Sequence, residues 1–267
     1  MKLGFVGSGK MATALVQGAV SSRAFAREDI LVCDAVAGVA EKLAAAVKAT
    51  AVAKNEDLAK QAGALVLCVK PADALDALRA LRGGTAGKLI VSIVAGLPIA
   101  ALQDAAGSKA RIVRVMPNTP ALIHRGAAAY ALGKTATPDD AALTEKLFGA
   151  VGQIVRVKEE LLDVVTGLSG SGPAYVYLVI EALADAGVLM GLPRELSMKL
   201  AAQTVAGAAQ MVIETGRHPA ALRDEVTSPG GTTIAGLEVL EASAVRSAFL
   251  RAVRAATERA RELGASK

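Results

Sequence analysis

The chain has 267 residues, of which 53% are hydrophobic and only 3% aromatic, with no Trp and a net charge of +5. That length allows one large domain or two smaller ones, with a core built from Ala, Val, Leu and Ile. No run of about 18 uninterrupted apolar residues argues for a membrane span, and the basic residues are interspersed with Glu and Asp instead of forming a nucleic-acid face. The densest basic group, Arg246, Arg251, Arg254, Arg259 and Arg261, shares a C-terminal amphipathic pattern with Glu258 and Glu262 and reads as a solvated helix face. Cys33 and Cys68 each end an apolar run, the pattern of buried thiols in a reducing compartment. Met1 leads straight into a strand pattern, so no signal peptide is expected and the expected location is cytoplasmic.

Lys2–Val6 is a short apolar run, followed at once by Gly7-Ser8-Gly9-Lys10-Met11-Ala12 and a helical pattern to Val20. Strand, glycine turn and helix form the context of a dinucleotide fingerprint. The first glycine makes the turn, the second admits a pyrophosphate, and the helix start supplies N–H groups and a positive dipole. The next strand, Ile30–Cys33, ends at Asp34, which could hold a ribose diol or cap the following helix. The first role disfavours a 2′-phosphate and hints at NADH. Lys10 pulls the other way, so the cofactor stays NADPH or NADH. Helical stretches then alternate with strands at 50–53, 64–69, 88–94 and 111–115. Apolar, non-alternating strands between helices specify a parallel, doubly wound sheet with ligands beyond the C-terminal strand ends. Gly7, Ser8, Gly9, Lys10, Met11, Asp34, Val69, Lys70, Pro71, Ala95, Gly96 and Asn118 all fall on that rim. A strand near 127–131, a helix over 138–150 and a strand at 153–157 complete an N-terminal domain of residues 1–158.

Residues 159–267 carry no further strand pattern. Thr166–Pro173 reads as a small-residue hinge, with Pro173 suited to a first helical turn. The helix expected over 174–190 is apolar on nearly every face and must be buried on several sides. Helices follow over 194–215, 218–226 and 244–263. So much apolar helix surface predicts a homodimer through this all-α half, extensible to a larger ring of dimers. The stretch Ser228-Pro229-Gly230-Gly231-Thr232-Thr233 ends in a helix start, where free N–H groups and hydroxyls suit a small carboxylate. An ordinary capped helix is the plainer reading of those residues alone.

Several segments together resemble pyrroline-5-carboxylate reductases along essentially the whole chain. They are the glycine turn, Val69-Lys70-Pro71, Met116-Pro117-Asn118-Thr119-Pro120, Ser169-Gly170-Ser171-Gly172-Pro173-Ala174-Tyr175, Glu181–Gly187 and Asp224–Thr233. The resemblance implies NAD(P)H-dependent reduction of the C=N bond of 1-pyrroline-5-carboxylate to L-proline, the last step of proline synthesis. By position it implies that Ser228, Gly230, Gly231, Thr232 and Thr233 hold the substrate, with the Thr233 hydroxyl on the ring nitrogen, and that Asn55 lies near the adenosine ribose. Two departures stand out: Lys10 where the family usually has Asn, and Asp34-Ala35-Val36 where many members carry residues suited to a 2′-phosphate.

A protonated cyclic imine is already electrophilic, so position and electrostatics suffice and no nucleophile is required. His124 and His218 are isolated, with neither metal-ligand nor triad spacing, so no metal is expected. Lys70 suits cofactor contact better than proton transfer. A 3-hydroxyacid dehydrogenase would need a Lys acid/base early in the long C-terminal helix, and 171–180 contains none. A non-catalytic dinucleotide sensor would have no use for the Ser228–Thr233 turn.

Overall fold

The computed structural model describes residues 1–265. The chain divides into two compact units, one of Met1–Ser171 with the stretch from Arg254 onward, the other of Gly172–Val253.

In the first unit the order is β1 (Leu3–Val6), α1 (Lys10–Ser21), β2 (Ile30–Cys33), α2 (Val39–Val47), β3 (Thr50–Ala51), α3 (Asn55–Gln61), β4 (Ala64–Leu67), α4 (Ala74–Leu81), β5 (Leu89–Ser92) and α5 (Ile99–Ala106). It continues with β6 (Arg111–Met116), β7 (Gly126–Leu132), α6 (Pro138–Gly149), β8 (Gly152–Arg156) and α7 (Leu162–Val165). One eight-stranded sheet results, ordered β3-β2-β1-β4-β5-β6-β7-β8. Strand side chains alternate between two cores. Leu31, Leu65, Leu67 and Ile90 pack with Leu58, Leu78 and Leu102 of α3, α4 and α5 on one face. Phe5, Val32, Val66 and Val91 pack with Leu15, Leu43 and Phe148 of α1, α2 and α6 on the other. Both faces are covered, which is why these strands read as continuous apolar runs.

The sheet is not wholly parallel. β7 pairs antiparallel with β6, and β8 pairs parallel with β7. The connection over 117–125 is too short for a crossover helix, which needs about a dozen residues or more, so β7 turns back beside β6. The β7-α6-β8 unit that follows does have such a helix and restores a parallel pair.

Two charge groups brace the sheet at β6. Arg111 bonds Asp140 through two nitrogens (2.8 and 3.1 Å), while Asp140 and Thr137 form a reciprocal cap at the start of α6. Arg114 lies buried within β6 and pairs with Glu159 (3.3 Å) and Asp163 (3.4 Å). Glu159 also accepts the Ile99 N–H at the start of α5 (2.6 Å). A charged group in such a place is tolerated only when fully paired.

The hinge expected at 166–173 is instead helical. Thr166–Gly170 forms a wide five-residue turn after α7, in which the Ser171 N–H reaches back to the Thr166 carbonyl (2.8 Å). Small side chains permit such a turn, and the Thr166 and Ser169 hydroxyls donate to the carbonyls of Leu162 and Val165.

The second unit begins with α8 (Gly172–Leu189), followed by α9 (Arg194–Thr215), α10 (Pro219–Glu225) and α11 (Thr232–Ala242); α12 (Val245–Ala265) starts in it and ends in the first unit. The α8–α9 pair approaches closely at Gly187, where an added Cβ would lie 2.0 Å from Ser197 Oγ. That hydroxyl donates to the Ala184 carbonyl (2.6 Å). Ala184, Ser197 and Ala201 are buried, but Tyr177, Leu178, Met190 and Ile213 lie exposed. By length and composition alone, the run Glu159–Leu189 is apolar enough to cross a membrane. The criterion of uninterrupted apolar residues passes over it, because Gly, Ser and single charges are scattered through it. Only 6% of its most apolar window is buried within the single chain.

Burial pushes the Asp140 carboxyl up, but hydrogen bonds from Arg111 and Thr137 outweigh it and hold the group below the usual carboxylate range. Its contribution to stability is therefore present above the unfolded-state pKa of about 4 and is lost as pH falls through the lower folded-state value. Asp140→Asn should lower the unfolding free energy at pH 7 by about 1–3 kcal/mol, with the gap to the unmodified protein narrowing below pH 4. Urea melts at pH 7 and pH 3 measure both.

Candidate active site

The rim beyond β1, β2, β4, β5 and β6 is built by a close approach of backbones at Gly7. Its N–H donates to the Cys33 carbonyl (2.8 Å). Its φ is +93°, and an added Cβ would lie 2.9 Å from both the carbonyl carbon and oxygen of Cys68. Only glycine fits, for conformation and for space. Gly9 differs: its φ is −71° and nothing lies within 4 Å of an added Cβ. The second glycine of the turn therefore faces open space beside the start of α1, which no side chain caps and which carries no acidic residue in its first turn. An anion suits that place.

Asp34 stands at the end of β2 and does not cap α2, which starts after Gly38. Its carboxylate accepts the Ser8 N–H (2.7 Å) and the Val36 N–H (2.8 Å). Asn55 opens α3, and its side-chain oxygen is buried without a partner. An orphaned acceptor at the rim fits the donor hydroxyls of a ribose. Lys70 is exposed at the turn after β4, held by the Asp73 N–H to its carbonyl (3.0 Å). Ala95 and Gly96 form the turn after β5, where Gly96 has φ +72° and faces the backbone of Leu263 in the last turns of α12. The open space at Gly9, the uncapped start of α1 and the unpaired Asn55 oxygen all fit a dinucleotide.

Asn118, after β6, has a side chain anchored at both its amide nitrogen and its amide oxygen. Its amide N–H donates to the Ser169 carbonyl in the wide turn (3.0 Å), and its amide oxygen accepts the Ala127 N–H at the start of β7 (2.9 Å). Pro173, one turn beyond Ser169, has no N–H with which to reach that carbonyl. Sequence reasoning placed Asn118 on the rim but missed this clamp, and it missed the Arg114–Glu159–Asp163 group entirely. An Arg inside an apolar strand was the signal available for the latter.

Ser228–Thr233 lies in the second unit. Gly230 has φ +64°, and the Gly231 N–H donates to the Ser228 carbonyl (3.1 Å). Gly231 caps α11 without any side-chain bond, so the first N–H groups of that helix are left for a ligand. Among the described residues, no partner is present for the hydroxyls of Ser228, Thr232 or Thr233.

His124 closes a short helical turn at φ +58°, and His218 accepts the Ala220 N–H as a cap on α10. Cys33 and Cys68 are free, and burial pushes both thiols up. No group of three or more His, Cys, Asp or Glu side chains suited to a metal occurs among the described residues.

A family model for pyrroline-5-carboxylate reductase dimerisation matches residues 159–263, and one for NADP oxidoreductases, coenzyme F420-dependent, matches residues 2–96. The pyrroline-5-carboxylate reductase of Methanosarcina acetivorans is 45% identical over 264 residues, 98% of each chain. The solved structure of a pyrroline-5-carboxylate reductase from Coxiella burnetii matches with a TM-score of 0.94 at 34% identity, over 98% of each chain. That of the Plasmodium falciparum pyrroline carboxylate reductase with NADP bound matches at 0.88 and 36%, over 99% of this chain and 98% of that one.

The two glycines should separate fold from ligand. Gly7→Ala should cost roughly 1–3 kcal/mol of stability as well as dinucleotide affinity. Gly9→Ala should leave the melting midpoint within about 2 °C while weakening dinucleotide binding about tenfold or more. Thermal melts alongside nicotinamide-fluorescence titrations check both. A Gly9→Ala variant with unchanged affinity would move the pyrophosphate elsewhere.

Proposed function

The chain belongs to the pyrroline-5-carboxylate reductase family, and from that premise we propose that it reduces the C=N bond of 1-pyrroline-5-carboxylate to L-proline with NADH or NADPH, the last step of proline biosynthesis. The observation that carries this reading is the start of α11, where uncapped N–H groups stand beside the unpartnered Thr232 and Thr233 hydroxyls.

The bound cofactor supplies a hydride to the C=N carbon. The chain does the rest. The main chain of Gly7–Met11 and the start of α1 hold the pyrophosphate. Asn55 takes the adenosine ribose, and Val69, Lys70, Pro71, Ala95, Gly96 and Asn118 line the remaining rim. The substrate carboxylate sits against the N–H groups that follow Gly230 and Gly231, with Ser228 and Thr232 beside it. Thr233 accepts a hydrogen bond from the protonated ring nitrogen and fixes which face of the ring is attacked. Hydride addition to the iminium carbon leaves a neutral secondary amine, so no side chain must deliver a proton within the step.

We assign nucleotide binding to residues 1–158 and substrate binding with dimerisation to 159–267. The dimerisation match and the exposed apolar side chains of α8 and α9 support a second copy covering that face, since each large apolar side chain buried there is worth about 1.5–3 kcal/mol. A ring of dimers would extend the same assembly. A cytoplasmic location suits two free thiols and a pyridine-nucleotide supply.

Steady-state assays with 1-pyrroline-5-carboxylate and each cofactor test the reaction, and no turnover with either would sink it. Thr233→Ala should lower kcat about tenfold or more while dinucleotide affinity stays within about twofold. An unchanged rate removes Thr233 from the site. Leu178→Glu should halve the mass seen by sedimentation velocity; an unaltered mass would place the interface on another face.

A further inference from the structure

In a doubly wound sheet, the turn after the second strand meets the adenosine ribose, where NADH has a 2′-hydroxyl and NADPH a 2′-phosphate. Asp34 occupies that turn. One carboxylate oxygen accepts from Ser8 in the glycine turn (2.7 Å) and the other from Val36 (2.8 Å). Gripped at both oxygens by main-chain N–H groups, this carboxylate cannot swing away from an incoming anion as a free surface carboxylate would. The residues that follow, Ala35, Val36, Ala37 and Gly38, offer no cation or hydroxyl to a phosphate. Among the described residues, no Lys or Arg is bonded to Asp34. Glu41, on α2, adds a second negative charge nearby. Behind burial, both carboxylates contribute to raising the Cys33 thiol.

We propose that Asp34 is the residue that sets cofactor specificity and that it selects NADH over NADPH. This rests on the reading of the rim as the dinucleotide site, but not on the identity of the imine. Each Asp34 oxygen keeps a lone pair for a ribose hydroxyl, so a 2′-hydroxyl is welcomed. A 2′-phosphate brings further negative charge beside a fixed one and finds no compensating cation in the turn. Lys10 belongs to the turn that faces the pyrophosphate, which both cofactors share, so it strengthens binding without discriminating.

Binding is read on the full-length, assembled protein by nicotinamide fluorescence in the absence of imine, with NADH and NADPH as the probes. The expected result is an NADH Kd lower than that of NADPH by about tenfold or more. Asp34→Asn keeps an oxygen acceptor and removes the charge, and should bring the two Kd values within about threefold, mainly by tightening NADPH. Asp34→Ser combined with Ala35→Arg should reverse the order. Tighter NADPH binding by the unmodified protein would overturn the proposal. A ratio unchanged in both variants would overturn it as well. Failure of the reductase reading looks different: the NADH preference persists in binding while 1-pyrroline-5-carboxylate is not turned over.

Discussion

The meeting of three backbones at Gly7 governs the rim where β1, β2 and β4 end. β1 ends there with its N–H on the β2 end and its Cα against the β4 end. Three of the rim's groups follow immediately after those strands: the open turn at Gly9, Asp34 after Cys33, and Val69-Lys70-Pro71 after Cys68. A side chain at Gly7 would push the β1 and β4 ends apart and displace all three groups together. The rim's accuracy is thus inherited from sheet packing, and the residues on it need few contacts of their own.

The helical half obeys a different constraint. Its internal packing is a narrow seam of small residues, Ala184, Gly187, Ser197 and Ala201, that lets α8 and α9 lie close. Large apolar side chains point away from that seam. Backbone ordering costs of order 1–2 kcal/mol per residue, which so thin a core cannot offset. Self-association, which the dimerisation match over 159–263 supports, answers that shortfall.

The alternation of apolar strands and helices up to α5 was legible because each strand is buried on both faces and each helix has one apolar stripe. The direction of β7 was not, since an apolar strand pattern reads the same either way. Only the short stretch 117–125 encoded the reversal. The turn at 166–170 was read as a hinge because Gly and Ser usually mark loops, whereas here their small size admits a widened helical turn. Asp34 left two roles open. The structure removes capping and shows a carboxylate tied to the glycine turn. Ser228–Thr233 was visible as a turn before a helix, but its meaning came from resemblance, because a cap and a carboxylate site share the same backbone.

The clamp at Asn118 has a consequence for how this sequence can change. Pro173 leaves the Ser169 carbonyl without its usual helical donor, and Asn118, distant in sequence, supplies the replacement. The two positions are therefore mutationally coupled. A residue with an N–H at 173 would compete for the same carbonyl and relax the demand on 118, while Pro173 keeps that demand strict. A segment exchange that replaced one of the two residues and not the other would leave the Ser169 carbonyl or the Asn118 amide without its partner.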